Sequence, residues 1–176
     1  MTTPTSQPGW STCTKCGDLI FWNRPPKAGH TIACRFSGDH NYVMSGKRDD
    51  HSLTEFAVWA NNPPVGANQE ANWAFCNNCH GLYHEYYDNS TGRSGICHDG
   101  NGHDRTGSGN YVLEKRTDTA PADAFFECSK CRVLYRVLGS TSCNGDAAGG
   151  PHVAVPGHYY ALMTVTTQVT QTTGRK

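Results

Sequence analysis

Hydrophobic residues along this chain occur in short runs, which predict β-strands. Three runs rich in aromatic and β-branched residues each follow a pair of cysteines, at residues 19–22, 82–87 and 134–138. Three further apolar runs, at residues 56–60, 111–113 and 159–163, are predicted to close the units that these runs begin. No segment shows the 3.6-residue period of an amphipathic helix. The pattern therefore predicts an all-β fold.

The positions around the cysteines repeat three times along the chain. An aromatic residue stands three positions before each first cysteine, and a leucine stands three positions after each second cysteine. The first two copies share the spacing C-x2-C-x17-C-x5-H, and the third has C-x2-C-x11-C-x8-H. The differences fall in loops, where a change of length costs little free energy. The repeated residues are Cys13, Cys16, Cys34 and His40; Cys76, Cys79, Cys97 and His103; and Cys128, Cys131, Cys143 and His152.

This repetition predicts three tandem small zinc-binding β repeats. We place a flexible N-terminus at residues 1–8, zinc repeats at 9–62, 70–116 and 123–163, and a C-terminal strand or tail at 164–176. The first repeat carries an insertion at residues 41–55 before its closing strand. The three repeats could stack about a pseudo-threefold axis or lie in a line.

The cysteine count supports metal binding over disulfide bonding. The chain has nine cysteines, and the three triplets use all of them. Three cysteines in one repeat cannot all pair with each other, although disulfides that cross between repeats stay an alternative. Zinc accepts three thiolates and one imidazole in a tetrahedral structural site, and a unit of roughly fifty residues needs such a staple. We therefore predict three structural Zn²⁺ ions.

The histidine ligands are less firmly specified than the cysteines. Other histidines lie near each predicted site, and water or an aspartate could also supply the fourth ligand. The competing residues are His30 and His51 in the first repeat, His98 in the second and His158 in the third.

Charge and hydropathy exclude several classes of partner. Lys+Arg and Asp+Glu both number 15, so the net charge is zero and a nucleic-acid partner is not expected. The local basic cluster of Lys130, Arg132 and Arg136 fits a solvated face. No apolar run approaches the roughly 18 residues of a membrane span. Residues 1–8 have no apolar signal segment, so we predict a cytoplasmic or non-classically secreted protein whose thiols stay reduced.

No motif supports an enzymatic activity. His84 and Glu85 begin a metallopeptidase-like pattern, but its second histidine is missing. Nucleotide-binding loops, nucleophile elbows and the zinc-deaminase pattern are also absent from the sequence. A zinc hydrolase would need an open metal site, so we predict a non-catalytic protein.

The loop at residues 98–111 is the strongest candidate for ligand binding. Its Asp, Asn and Arg side chains could hydrogen-bond sugar hydroxyls, and nearby aromatic rings could stack on a sugar, although Asp, Asn and Gly also build tight turns. We predict a carbohydrate-binding, lectin-like protein, with a protein-interaction or nucleic-acid-binding zinc-ribbon module as the alternative. The candidate ligand-binding residues are Asp99, Asn101, Asp104, Arg105, Asn110, Tyr86, Tyr87 and Trp22.

The motif W-x2-C-x2-C-x2-L, followed by Cys, a glycine-rich turn, His and G-S-G-N-Y, resembles tandem Cys3His zinc-ribbon-like repeats of bacterial and fungal proteins. Residues 73–111 fit this pattern best. The first copy departs from it after His40, and the third has Phe125 in place of the tryptophan. The resemblance covers most of the chain and implies a tandem accessory or binding module.

Overall fold

The fold is built from β-strands. The computed structural model describes residues 5–13, 15–21, 42–43, 52–60, 65–85, 95–97, 100–116, 124–137, 143 and 150–168, with the backbone alone at 42–43, 52–56 and 165–168. Every regular element in these ranges is a strand, which confirms the all-β prediction. The described residues contain no helix long and apolar enough to cross a membrane. The strands are β1 (Thr5–Cys13), β2 (Leu19–Phe21), β3 (Tyr42–Val43), β4 (Ser52–Ala60), β5 (Gln69–Phe75), β6 (Leu82–His84), β7 (Tyr111–Lys115), β8 (Phe125–Cys128), β9 (Leu134–Arg136), β10 (Ala154–Ala161) and β11 (Met163–Gln168).

The strands that follow the cysteine pairs begin where the sequence predicts, and β6 and β9 end earlier than predicted. Each of β2, β6 and β9 starts at its leucine and lasts three residues. The predicted closing runs lie within β4, β7 and β10, and β3 and the start of β4 fall in the segment interpreted as an insertion. At the chain ends, β1 begins at Thr5 within segment 1–8, and β11 pairs with β4 over six residues.

The strands form one antiparallel, nearly closed sheet. Its main path runs β2-β1-β4-β7-β10-β8-β9, while β11 pairs with β4, β3 with β1, and β5 with both β6 and β7. An isolated bridge between Asp18 and Tyr135 connects the two ends of this path. This bridge brings β2 and β9 together, so the sheet nearly closes on itself.

Three hairpins in this sheet share one construction. We call them the first knuckle (β1 and β2), the second knuckle (β5 and β6) and the third knuckle (β8 and β9), because a Cys-x2-Cys turn joins each pair. In each, the N–H of the first cysteine donates to the carbonyl five residues later, and its own carbonyl accepts the N–H four residues later, at 2.8–3.1 Å. The residue after the second cysteine has a positive φ, namely 84° at Gly17, 59° at His80 and 64° at Arg132.

The knuckles join each other through those positive-φ residues. The Phe21 N–H donates to the His80 carbonyl at 2.9 Å, and the His84 N–H donates to the Arg132 carbonyl at 3.0 Å. The Arg136 N–H donates to the Gly17 carbonyl at 2.9 Å, which completes the circuit. A left-handed conformation costs about 1–2 kcal/mol at His80 and at Arg132, so these hydrogen bonds and the turn must hold the backbone there.

Strand alternation separates the aromatic core from the cysteines. Side chains three apart in a strand point to opposite faces, so the aromatic residue and the first cysteine of each knuckle diverge. The aromatic and leucine positions form the central cluster, with Trp10, Trp73 and Phe125 almost completely buried. The other face of the second and third knuckles forms a separate cluster that holds Ala74, Tyr83, Val133, Tyr135 and six cysteines. One face of the sheet therefore packs into the central hydrophobic cluster, and the other face carries the buried cysteines.

Candidate metal centres

One cluster of four potential ligands lies at the second knuckle. Cys76 and Cys79 come from the knuckle turn, while Cys97 and His103 come from the loop that follows β6. The sulfurs of Cys76 and Cys97 are 3.7 Å apart, and the Cys79 sulfur is 3.7 Å from Nδ1 of His103. Backbone hydrogen bonds from Cys97 N to Asn101 O at 2.7 Å and from Gly100 N to Cys97 O at 3.0 Å shape the loop. All three cysteines are buried.

A second cluster of the same composition lies at the third knuckle. Cys128 and Cys131 come from the turn, and Cys143 and His152 approach from the chain beyond β9. The Cys128 and Cys143 sulfurs are 3.4 Å apart, and the Cys131 sulfur is 3.6 Å from Nδ1 of His152. All four residues are buried.

These distances fit a tetrahedral metal ion. Zn–S bonds of about 2.3 Å and Zn–N bonds of about 2.0 Å place ligand sulfurs about 3.8 Å apart and a sulfur about 3.5 Å from the nitrogen. In both clusters the four ligand atoms lie within 4.8 Å of one another. A disulfide needs sulfurs about 2.05 Å apart. No disulfide bond joins the cysteines of the described residues, so the disulfide alternative finds no support there.

The knuckle cysteines of each cluster have pKa values that are shifted in opposite directions. Hydrogen bonds from Cys79 and then Cys97 hold the pKa of Cys76 far below its usual range, whereas contact with the Cys76 and Cys97 sulfurs raises the pKa of Cys79. In the other cluster, hydrogen bonds from Cys131 and Cys143 lower the pKa of Cys128, while burial raises the pKa of Cys131. A bound divalent cation removes this difference because it lets all three sulfurs ionise together.

In each cluster histidine, the second ring nitrogen lies close to an oxygen atom of another knuckle. Nε2 of His103 lies 2.8 Å from the backbone oxygen of Cys131. Nε2 of His152 lies 3.1 Å from Oδ1 of Asp18, with both side chains buried. Although burial opposes it, the Asp18 carboxylate raises the pKa of His152 to about 12. An acceptor at Nε2 favours a proton there, and a metal bound at Nδ1 would take the place of the second ring proton.

Both histidine rings also lie flat against a tyrosine of their own knuckle. The ring centroids of His103 and Tyr83 are 4.3 Å apart, as are those of His152 and Tyr135, with interplanar angles of 19° and 17°. Burial is the main cause that raises the pKa of Tyr83 above its usual range and that of Tyr135 to about 12. Neutral tyrosine faces therefore hold the imidazoles in place.

Gly95 allows the loop of the second cluster to pass close to the third knuckle. A Cβ built on Gly95 would lie 2.4 Å from the Cys131 carbonyl oxygen, and the φ of Gly95 is +80°. We expect Gly95→Ala to destabilise the protein by about 3 kcal/mol, since backbone strain and overpacking act together. Gly157→Ala is the matched control, with a φ of +76° and nothing within 4 Å of its Cβ. Urea denaturation of both variants tests this, and equal losses of stability would contradict the steric argument.

The remaining predicted ligands are only partly described. Cys13 and Cys16 are buried in the first knuckle, as a third cluster would require. Cys34 and His40 lie outside the described residues, as do Asp99, Trp22, Tyr86, Tyr87 and the competing His30, His51 and His98. His158, the competitor in the third repeat, lies beside Glu127 instead of the cysteines.

The loop residues predicted to bind a ligand divide into two groups. Asn101 and Asn110 are exposed, and Arg105 is exposed while pairing with Glu85 at 2.6 Å. Asp104 instead shapes the loop, because it accepts hydrogen bonds from the Thr106 N–H at 2.9 Å and the Asn77 side chain at 3.3 Å. The structure thus leaves the two asparagines and Arg105 as the accessible polar groups among the described candidates.

Sequence reasoning missed a buried charged network between the second and third knuckles. Glu127 is fully buried and contacts Arg132, His84 at 3.1 Å and His158 at 2.8 Å. Burial would raise the pKa of Glu127, but the hydrogen bond from His84 and the nearby positive charges lower it. The available signal was a charged residue directly before Cys128, where the other knuckles have Thr12 and Phe75.

The network continues to Glu70, and its carboxylates are satisfied. Glu70 accepts a short hydrogen bond from the Tyr160 hydroxyl and lies 3.5 Å from the Lys115 ammonium. The ligand atoms of Glu70, Glu127 and His158 also lie within 4.8 Å of one another. Because Arg132, Lys115 and Tyr160 already compensate the carboxylates, this network reads as a structural one.

Tyr160 gives the network a measurable pH dependence. Burial, and then the hydrogen bond to Glu70, raise the pKa of Tyr160 far above its usual range. The unfolded chain therefore loses this proton near pH 10 while the folded protein keeps it, and stability falls as the pH rises above that value. We expect the stability difference between the wild type and Tyr160→Phe to shrink by about 1 kcal/mol from pH 10 to pH 11. Urea denaturation at pH 8, 10 and 11 measures it, and parallel pH profiles would contradict the assignment.

No protein-family model, curated protein or solved structure matches the chain. The two clusters are therefore defined by their own geometry: three buried thiols and one oriented imidazole that can hold a metal ion.

Proposed function

We propose that this chain is a non-catalytic, zinc-stabilised binding protein made of three tandem units. The observation that carries the proposal is the pair of buried Cys3His clusters, each built on the same knuckle hairpin. Four protein ligands complete a tetrahedron and leave no position for water or substrate. The sites are then structural, and the metal supplies folding free energy that small β units lack.

The proposal assigns a metal site to the first knuckle as well, although only two of its four proposed ligands are described. That knuckle shares the two backbone hydrogen bonds, the positive φ and the buried cysteine pair of the other two. The circuit of hydrogen bonds among Gly17, His80 and Arg132 also fits three units about a pseudo-threefold axis better than three in a line. Cys34 and His40 are the proposed remaining ligands.

Metal analysis of native protein tests the site proposal. We expect about three zinc ions per chain, and thiols that react with a thiol reagent only after a chelator is added. Cobalt substitution should give the intense thiolate-to-cobalt absorption and the visible bands of tetrahedral coordination. The intact mass of the alkylated protein distinguishes metal coordination from disulfide bonding, because disulfide-bonded cysteines would stay unmodified after the chelator is added. Protein without metal, with its cysteines in disulfides, would overturn the proposal.

For the ligand, we propose a carbohydrate bound at the loop between β6 and β7. Support comes from the exposed Asn101, Asn110 and Arg105, whose amide and guanidinium groups match the donors and acceptors of sugar hydroxyls. Zero net charge gives no electrostatic attraction to nucleic acid, which makes that partner the weaker alternative.

A glycan array on fully metallated protein tests the ligand class. We expect binding that Asn101→Ala with Asn110→Ala abolishes and that Val137→Ala, an exposed substitution on another element, leaves intact. Retained zinc in both variants shows that the loop residues act on the ligand alone. An array without hits would overturn the carbohydrate proposal, and a salt-dependent gel shift would favour nucleic acid in its place.

A further inference from the structure

Two metal clusters meet at a single peptide group. Cys131 contributes its sulfur to the cluster at the third knuckle, and its carbonyl oxygen lies 2.8 Å from Nε2 of His103, a ligand of the other cluster. Gly95, two residues before the ligand Cys97, approaches the same carbonyl. The position of Cys131 therefore affects two of the four ligands at the second knuckle.

The cluster at the third knuckle depends on the first knuckle in the corresponding way. Nε2 of His152 lies 3.1 Å from Asp18, which stands two residues after Cys16. The backbones of Asp18 and Tyr135 form a β-bridge, and Tyr135 stacks on His152. At the other cluster, Tyr83 stacks on His103 and is bridged to Val133, two residues after Cys131.

We infer that Asp18 is a positioning residue for the metal at the third knuckle, and that the metal sites are linked because each ligand histidine is held by a neighbouring knuckle. This inference rests on the proposed zinc sites. An acceptor at Nε2 holds the ring in the rotation that turns Nδ1 toward the three sulfurs, as coordination through Nδ1 requires. Removal of such an outer partner lowers metal affinity by about 10–100-fold.

The two oxygen atoms that lie against the histidines, one from Asp18 and one from Cys131, differ in how a substitution can remove them. Asp18 is a side chain and can be changed directly, whereas the carbonyl of Cys131 can be displaced only by emptying its own site. Coupling between two binding sites is reciprocal. If metal at the third knuckle raises the metal affinity of the second knuckle by some factor, metal at the second knuckle raises the affinity of the third by the same factor.

Cadmium-113 NMR of the substituted full-length protein separates the sites, because each Cys3His site gives its own resonance. Asp18→Ala should move or broaden the resonance of the Cys128 site while that of the Cys76 site stays in place. Competition with a chromophoric chelator should show a 10–100-fold loss of affinity at the affected site. Asp18→Asn should restore part of the loss, since its amide oxygen can still accept from Nε2–H.

Leu113→Ala is the control for general destabilisation. Leu113 is buried in the central cluster, away from the thiols, so its truncation lowers stability without touching either histidine. An Asp18→Ala protein that loses affinity equally at both sites, as the Leu113→Ala protein should, would overturn the positioning role. Cys143→Ser tests the linkage, because it should shift the resonance of the remaining Cys76 site.

The outcomes also separate this inference from the proposed function. A wild-type protein that binds no cadmium or zinc would end the zinc proposal itself. A wild-type protein that binds metal normally, with Asp18→Ala unchanged in resonance and affinity, would overturn only the inference about Asp18. An unshifted Cys76 resonance in folded Cys143→Ser would overturn the linkage.

Discussion

Removal of zinc by a strong chelator is expected to unfold the whole described sheet in one transition. Each structural Cys3His site contributes on the order of 10 kcal/mol of apparent binding free energy, which is comparable to the total stability of a domain. The knuckles hold each other through the carbonyls of Gly17, His80 and Arg132, so loss of one turn removes a hydrogen-bond partner from the next.

Far-UV circular dichroism and tryptophan fluorescence during chelator titration measure this effect. Trp10 and Trp73 are fully buried, so their emission should shift to longer wavelength as the core opens. Chelator saturated with zinc beforehand is the control, and renewed zinc under reducing conditions should restore the native signal. A chain that keeps its spectrum and melting temperature after complete zinc removal would show that the clusters do not stabilise the fold.

The second large effect is expected from Glu127→Ala, which should destabilise the protein by about 3–5 kcal/mol. The substitution leaves Arg132, whose side chain is only 15% exposed, without its carboxylate partner, and His84 and His158 lose a hydrogen-bond acceptor. Removing one member of a buried ion pair costs far more than the pair contributes, because the remaining charge stays desolvated.

Glu85→Gln provides the matched comparison for Glu127→Ala. It also breaks an arginine–glutamate pair, but the Arg105 side chain is 45% exposed, so the expected loss is below about 1 kcal/mol. Chemical denaturation with metal content measured in parallel checks both variants. Full zinc occupancy in Glu127→Ala shows that the loss comes from the charged network, and equal losses in the two variants would contradict the role of burial.

The sequence predicts the grouping of residues in two Cys3His clusters because ligand spacing in a turn is a local property. Each Cys-x2-Cys turn fixes two sulfurs within one turn of chain, and the structure places Cys97 with His103, and Cys143 with His152, around them. The all-β class also followed from short apolar runs. Strand ends were less predictable, as at β6, which stops at His84 opposite Trp73, next to the point where β5 is bent by the positive φ of 67° at Asn72.

Long-range partners could not be predicted from local patterns. Asp18 belongs to no motif in the sequence, and only the folded arrangement brings it to His152 across more than a hundred positions. Glu127 belongs to no motif either, and the packing of His84 and Arg132 encloses it. Such contacts depend on how the hairpins assemble, which neither spacing nor composition specifies.

The contacts between knuckles are not alike, and that difference sets an order on the units. Trp10 packs among Phe21, Phe75 and Tyr111 at ring-centroid distances of 5.0–6.4 Å, so the contact between the first and second knuckles is hydrophobic. Trp73 instead stacks on His84, which points to Glu127. In a chimera whose third knuckle is replaced by a copy of the second, Phe75 would stand in the position of Glu127, and His84 would lose its carboxylate partner. The junctions therefore differ in chemistry, and this difference disfavours the exchange of a knuckle between two chains.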